Sequence, residues 1–363
     1  MKALHVVGAR PNFVKCAPVV AALREIPGVE QVLVHTGQHY DHNMSDVFFR
    51  QLGMPEPDVN LGVGSNTHAK QTAAVIAGLE EVLLAHRPDV VIVYGDINST
   101  LAAALVAAKL SMRVAHVEAG LRSYDRSMPE EINRIVTDQL SDLLFTPSVD
   151  GNENLVAEGV PRDRIHFVGN AMVDTLVRFL PDTESRWLVV SASMGIEKDA
   201  FAVATLHRPS NVDDPDRLTK LMRELAELAR ADGLRVVFPM HPRTRERVRG
   251  LGLEPDGIHI IEPVGYIEFL ALQRFARYVI TDSGGIQEET TFLGTPCFTL
   301  RRNTERPITV THGTNTLVGE DAEELLQALK HAHKKHNVPI SRPLLWDGRS
   351  ALRIAGVLVD RCM

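Results

Sequence analysis

Asp89-Val90-Val91-Ile92-Val93-Tyr94-Gly95-Asp96 is the stretch that decides the fold. Its apolar run has no polar alternation, so the strand it forms is covered on both faces, as in a parallel sheet flanked by helices. The run stops at a glycine followed by a carboxylate. Arg113-Val114-Ala115-His116-Val117-Glu118-Ala119-Gly120 repeats that grammar one unit later. Working outward, the first half offers further strands at Lys2 to Val7, Gln31 to His35, Leu143 to Thr146 and Arg164 to Val168. Helical periodicity lies between them, at Lys70 to Leu84 and at Glu130 to Leu143 behind Pro129. The second half restarts at Ala202 to Leu206, then Asp216 to Ala231 as an amphipathic helix ended by Gly233. Strands follow at Arg235 to Phe238, Gly257 to Ile261, Tyr278 to Thr281 and Cys297 to Leu300.

The expected fold class is α/β, with two Rossmann-like doubly wound parallel-sheet domains facing a cleft. A chain of 363 residues exceeds the usual size of one hydrophobic core. The expected division is 1–169 for the first domain and 170–349 for the second, with a last helix at 350–363 packing back on the first. Net charge of −7 argues against a broad nucleic-acid-binding face and permits a local cationic pocket for a small anion. Cys16, Cys297 and Cys362 form neither a metal ribbon nor a disulfide scaffold, which fits a reduced cytoplasmic setting. The opening residues read as a strand rather than a signal peptide, and no apolar run is long enough to span a bilayer.

Ligands of open parallel sheets bind beyond the carboxyl ends of the strands. Those ends carry Gly8-Ala9-Arg10-Pro11, Thr36-Gly37-Gln38-His39, Gly95-Asp96, Glu118-Ala119-Gly120, His207-Arg208-Pro209, His241-Pro242 and Asp282-Ser283-Gly284-Gly285. The last, continuing to Glu289, looks like a diphosphate seat, because glycines admit close backbone approach and the following helix offers free N–H groups and its dipole. Glu289 is placed to accept from ribose hydroxyls. Arg10 and Lys15 follow the first strand as phosphate or sugar ligands, but the spacing matches neither a dinucleotide fingerprint nor a P-loop.

Asp96, Glu118 and Glu131 could converge as carboxylates for acid/base work. A surface bridge between Glu130 and Arg134, four apart on one helix, is the plainer account of part of that segment. His207 ends a buried strand and is a plausible leaving-group contact. His35, His39 and His42 straddle a glycine turn without the carboxylates of a metal centre, and His331, His333 and His336 read as a solvated helix end. No metal is expected.

In order along the chain, Gly8-Ala9-Arg10-Pro11, Gln38-His39, Gly95-Asp96, His116-Val117-Glu118-Ala119-Gly120-Leu121-Arg122, Pro129-Glu130-Glu131-Ile132-Asn133-Arg134, Gly169-Asn170, His207-Arg208 and Asp282-Ser283-Gly284-Gly285-Ile286-Gln287-Glu288-Glu289 resemble the non-hydrolysing UDP-N-acetylglucosamine 2-epimerase family. The resemblance implies a GT-B-like fold, a homodimer, and interconversion of UDP-GlcNAc with UDP-ManNAc without NAD or another cofactor. It assigns proton transfer to Asp96, Glu118 and Glu131, and diphosphate stabilisation to His207 and Arg10. It further implies a phosphate seat at Ser283, Gly284 and Gly285, ribose at Glu289, uracil near Phe269, and sugar or electrostatic contacts at Lys15, Arg134 and His241. Gln38 and His39 match positions that hold an activating second substrate molecule. The chain departs from the family's pattern at Asn12, where a Glu is usual, at Pro209-Ser210, where Arg-Glu is usual, and at Ala74, near an activator-binding arginine. A hydrolysing epimerase and a GT-B glycosyltransferase are the rival readings.

Overall fold

The computed structural model describes residues 1–38, 49, 51–253, 256–319, 325, 327–328 and 342–363. The chain divides into two compact units, Met1–Arg178 with Leu344–Met363, and Phe179–Pro343.

In the first unit β1 (Lys2–Val7), β2 (Glu30–His35), β3 (Val59–Asn60), β4 (Val90–Tyr94), β5 (Arg113–Val117), β6 (Leu143–Thr146) and β7 (Ile165–Phe167) form one sheet. Their order is β3-β2-β1-β4-β5-β6-β7, and every pairing is parallel. Every residue of β4 is buried, as its unbroken apolar run requires. Leu4, Val6, Val32, Val34, Val91 and Val93 point to one face, where Val75, Leu79 and Leu83 of the helix His68–His86 cover them. Chain order reverses between β1 and β4, which makes the carboxyl ends of these two strands the switch point of the sheet.

The second unit repeats this plan with β8 (Phe201–Thr205), β9 (Arg235–Pro239), β10 (Ile258–Ile261), β11 (Tyr278–Thr281), β12 (Cys297–Thr299) and β13 (Asn315–Leu317). The order is β10-β9-β8-β11-β12-β13, so the reversal falls between β8 and β11. The amphipathic helix Pro215–Asp232 begins on Asp214, whose side chain accepts from the amides of Asp216 and Arg217, and ends at Gly233 in the left-handed region. The expected α/β class with two parallel-sheet units of Rossmann type is therefore what the chain adopts.

Some boundaries differ from expectation for local reasons. The helix expected to reach Leu143 spans Pro129–Leu140, because the Asp142 amide donates to the Val114 carbonyl at 2.8 Å and draws the chain into β6. The sequence reading omits β3 and β13. Both are short edge strands without a long apolar run. The first unit extends past Gly169 because the helix Ala171–Phe179 is tied to it: Thr175 Oγ1 donates to the Val14 carbonyl at 2.5 Å. Asp174 on the same helix accepts from the amides of Ser350 and Ala351 at 3.1 and 2.6 Å, capping the final helix Ser350–Cys362. That helix packs against Arg10–Arg24.

The core of the first unit contains an ionisable group. His5 is fully buried on β1, with Nδ1 2.7 Å from the Tyr94 hydroxyl and Nε2 3.0 Å from Gln31 Oε1. Desolvation, opposed by the Gln31 bond, pushes its pKa down from 6.5 to about 4. The unfolded chain then binds the proton more tightly than the folded one, so the stability from His5 is whole above pH 6.5 and is lost as pH falls toward 4. The urea midpoint is expected to drop between pH 7.5 and pH 4.5 by an amount equivalent to at most roughly 3 kcal/mol from this group. A His5→Gln variant should show a flatter profile; an unchanged profile would remove His5 as the cause.

Candidate functional site

The carboxyl ends of β1, β4 and β5 carry the first cluster. Asn12 sits in the opening turn of the helix Arg10–Arg24 and accepts from the amides of Gly8 and Ala9 at 3.2 and 3.3 Å. Its Nδ2 donates to the Tyr94 carbonyl at 2.7 Å, locking the ends of β1 and β4 together. Three residues on, Lys15 donates to Glu118 Oε2 in a buried ion pair. Glu118 holds a φ of 79°, a left-handed conformation that costs a non-glycine residue energy and is retained where surrounding contacts demand it. Gly95 stands against this pair: a Cβ there would lie 3.0 Å from Lys15 Nζ and 3.1 Å from Glu118 Oε2.

Arg134 gathers the other two carboxylates. Its side chain is 2% exposed; Nη1 donates to Asp96 Oδ2 at 2.5 Å, and Nε and Nη2 donate to Glu131 Oε2 at 3.1 and 2.7 Å. The expected surface bridge is thus replaced by a buried cation between two acids. Asp96, at 24% side-chain exposure, is much more open than Glu118 or Glu131. Asn133 steadies it by donating to its carbonyl at 2.8 Å.

Glu131 has a different situation from the one expected of a proton carrier. Besides Arg134 it accepts from the Ser123 amide, the Ser123 hydroxyl and the Tyr124 amide, each at 2.9 Å. Burial alone would raise its pKa, but the Ser123 amide and Arg134 outweigh burial and hold the group below the usual carboxylate range. It therefore anchors the turn and Arg134. The adjacent Glu130 is half-buried, and no ion pair joins it to Arg134 among the described residues.

Beneath these groups lies a buried knot whose centre, Asp138, the motifs did not single out. Asp138 Oδ1 is 2.6 Å from His116 Nδ1, while Oδ2 takes the Gly120 amide at 3.1 Å and Arg122 Nη1 at 2.7 Å. His116 Nε2 is 2.8 Å from the Gly95 carbonyl. One carboxylate thereby holds the Gly120 amide beyond Glu118 directly and, through His116, the Gly95 carbonyl before Asp96. The available signal was the spacing: Asp138 stands one helical turn after Arg134 on the same face.

Gln38 Oε1 accepts from the Ser99 amide and hydroxyl at 3.0 and 2.7 Å, so this side chain braces the end of β2. His35 is buried, packs against the Phe13 ring in a tilted arrangement with centroids 5.5 Å apart, and accepts from the Gly37 amide at 3.1 Å. His39, His42, His331, His333 and His336 lie outside the described residues. Ala74 is exposed on the helix His68–His86. Among the described residues no group of three or more His, Cys, Asp or Glu is arranged to hold a metal ion, and no helix is long and apolar enough to cross a membrane.

The second cluster sits at the switch point of the other unit. The helix Gly284–Leu293 starts directly beyond β11, with Ser283 at its cap. Gly284 lies close to this unit's buried charges: a Cβ there would displace Arg306 Nη1 and lie 2.6 Å from Glu305 Oε1. Arg301, Glu305, Arg306 and Glu288 form a buried charge chain behind it, with Arg301 to Glu305 at 2.6 Å and Arg306 to Glu288 at 2.9 Å. Sequence reasoning missed this chain, although Thr304-Glu305-Arg306-Pro307 follows the end of β12. Asp282 is buried and accepts from the amides of His207 and Arg208 and from Asn211 Nδ2 at 3.0 to 3.1 Å, while the His207 ring presents Nδ1 at 2.8 Å.

Glu289 is buried, and burial pushes its pKa up against the opposing bonds from Gln273 and Tyr266. Gln273 Nε2 donates to it at 2.6 Å. Phe269, on the helix Tyr266–Phe275, is half-buried against the apolar cluster around Trp187 and Phe275. His241 is exposed and caps the helix Pro242–Gly250, its Nδ1 accepting from the Arg243 amide at 3.3 Å.

A family model described as UDP-N-acetylglucosamine 2-epimerase matches residues 21–359. The chain belongs to this family. A UDP-N-acetylglucosamine 2-epimerase of Methanocaldococcus jannaschii is 43% identical over 366 residues, covering 99% of each chain. A UDP-2,3-diacetamido-2,3-dideoxy-D-glucuronate 2-epimerase of Pseudomonas aeruginosa is also 43% identical, over 360 residues and 99% of each chain. Among solved structures, the M. jannaschii epimerase in complex with UDP-GlcNAc and UDP superposes with a TM-score of 0.91 at 42% identity, covering 99% of this chain and 100% of that one. A glycosyltransferase of Rickettsia africae, at 13% identity and a TM-score of 0.55, shares the fold alone.

Within this epimerase-family scaffold, Arg134 is a buried cation shared by two acids. Arg134→Met would leave Glu131 buried and Asp96 part-buried without their counter-charge, a situation worth about 3–5 kcal/mol when a buried pair is broken. Thermal unfolding should show the first unit melting several degrees lower; an unshifted melt would mean that the carboxylates find other partners.

Proposed function

We propose that this chain interconverts UDP-GlcNAc and UDP-ManNAc by eliminating UDP and adding it back, without releasing the sugar to water. The observation that carries the reading is the pairing of Asp96 and Glu118 with Arg134 and Lys15 at one set of strand ends in an epimerase-family chain. The glycine turn with His207 ends another set and suits a diphosphate. The C2 proton of a 2-acetamido sugar is not next to a carbonyl, so direct abstraction is slow. If the C1–O bond breaks first, its electron pair leaves with UDP and the positive charge at C1 acidifies C2–H. A carboxylate then takes the proton, giving 2-acetamidoglucal; reprotonation from the opposite face and return of UDP complete the inversion. The sequence of steps is redox-neutral and asks for no electron carrier.

In this reading Asp96 and Glu118 handle the protons, and Glu131 acts by holding Arg134 against Asp96. Arg10, His207 and the seat at Ser283, Gly284 and Gly285 receive the diphosphate, Glu289 the ribose and Phe269 the uracil, with Lys15 and His241 supplying electrostatic support. Gln38 and His39 remain the candidate contacts for an activating substrate molecule. We also assign the enzyme to the cytoplasm as a homodimer, which analytical ultracentrifugation of the purified protein tests.

Incubation with UDP-GlcNAc in heavy water is expected to place deuterium at C2 while UDP stays attached; free UDP in the phosphorus spectrum, with free ManNAc in the proton spectrum, would instead make the chain a hydrolysing epimerase. The equal identity to the P. aeruginosa relative favours one second reading, in which the sugar carries a 3-acetamido group and a C6 carboxylate. Comparing kcat/KM for the two UDP-sugars separates them. Asp96→Asn is expected to lower kcat by about 10²-fold or more with the fold retained, as for loss of a general acid or base. Near-normal turnover would take Asp96 out of the mechanism.

A further inference from the structure

We propose that Asp282 is the positioning residue for His207, holding the imidazole by Nδ1 so that Nε2 alone is presented to the diphosphate; this rests on the epimerase reading given above. The observation behind it is an asymmetry of exposure. The His207 side chain is 59% exposed, and a ring so open would ordinarily sample several rotamers. Here Nδ1 is 2.8 Å from Asp282 Oδ1, and the carboxylate it meets is fully buried. A carboxylate of this kind only accepts, because three N–H donors already converge on it: the His207 amide, the Arg208 amide and Asn211 Nδ2. These bonds, together with the His207 ring, hold Asp282 ionised and below the usual carboxylate range despite its burial. The proton between ring and acid therefore sits on Nδ1, and the other nitrogen is the one turned outward.

The same residue is also the first step of the glycine turn. Asp282 precedes Ser283, whose amide donates to Thr281 Oγ1 at 3.0 Å, and its own carbonyl accepts from Arg208 Nε at 3.1 Å. A single side chain thus sets the ring against the turn that opens the helix Gly284–Leu293. Asp282 touches neither sugar nor phosphate in this account; it acts through His207. When the C1–O electron pair passes to the diphosphate, the oxygen that gains charge accepts from Nε2–H of the ring in its imidazolium form, Nδ1–H being held by Asp282, so the donor's direction was decided before substrate arrived and no reorganisation is needed at that moment.

A merely structural Asp282 would lower activity whatever occupies position 207, whereas a positioning Asp282 matters only while the imidazole is there. The test is a double-mutant cycle with Asp282→Asn, His207→Asn and the double variant, reading kcat and the affinity for UDP by calorimetry. Each single change is expected to lower kcat by about 10²-fold with a smaller effect on KM, as for a misplaced catalytic contact, and the double variant is expected to match His207→Asn within about twofold. Losses that multiply in the double variant would overturn the proposal. Should Asp282→Asn fail to fold, nitrogen NMR of the wild-type protein decides: a proton on Nδ1 of His207 supports the assignment, and a bare Nδ1 overturns it. If the wild-type protein shows no epimerisation, the functional reading fails on its own, and the UDP affinities of the same variants still report whether the two residues are coupled.

Discussion

Parallel pairing is the constraint from which the rest of the molecule follows. Each sheet is covered on both faces, so strands such as Val90–Tyr94 are apolar throughout and carry no chemistry along their length. Polar groups are displaced to the ends, and because the strands run the same way, every carboxyl end in a unit emerges on one side. The reversal between β1 and β4, and between β8 and β11, opens that side where helices diverge. Both clusters occupy such reversals.

Charge burial then decides how each cluster is built. Arg134 and Lys15 are nearly removed from water, and a cation in that setting is tolerable only beside an acid. Arg134 meets Asp96 and Glu131, and Lys15 meets Glu118. Pairing keeps Glu131 ionised, and the helix that supplies Arg134 also supplies Asp138, whose bonds to His116, Arg122 and Gly120 brace the two strand ends from below. The second unit reaches a similar end with Asp282 and with the chain of Arg301, Glu305, Arg306 and Glu288. In each unit a buried carboxylate organises backbone amides at the strand ends.

Backbone conformation adds a second layer of commitment. Glu118 keeps a left-handed φ, and Gly95 beside it leaves room for the Lys15 pair that a methyl group would crowd. Strain of this kind persists where the surroundings over-determine it.

Much of this was readable from residue order. The apolar runs, the alternation of strand and helix, the glycine-acid strand ends and the family motifs are local properties, and burial on both faces writes them into consecutive residues. The edge strands β3 and β13 were not readable, because two or three paired residues leave no periodic trace. Nor was the commitment of Glu131 to the Ser123 turn, or the Asp138 knot. What the order of residues alone determined was where polar chemistry could surface. Which charges meet was settled only by tertiary structure: Lys15 and Glu118 lie 103 positions apart, Arg134 and Asp96 lie 38 apart, and Asp282 and the His207 amide lie 75 apart. Such pairings depend on the register of strands brought together from distant segments, and a pattern of three or four neighbouring residues carries no record of it.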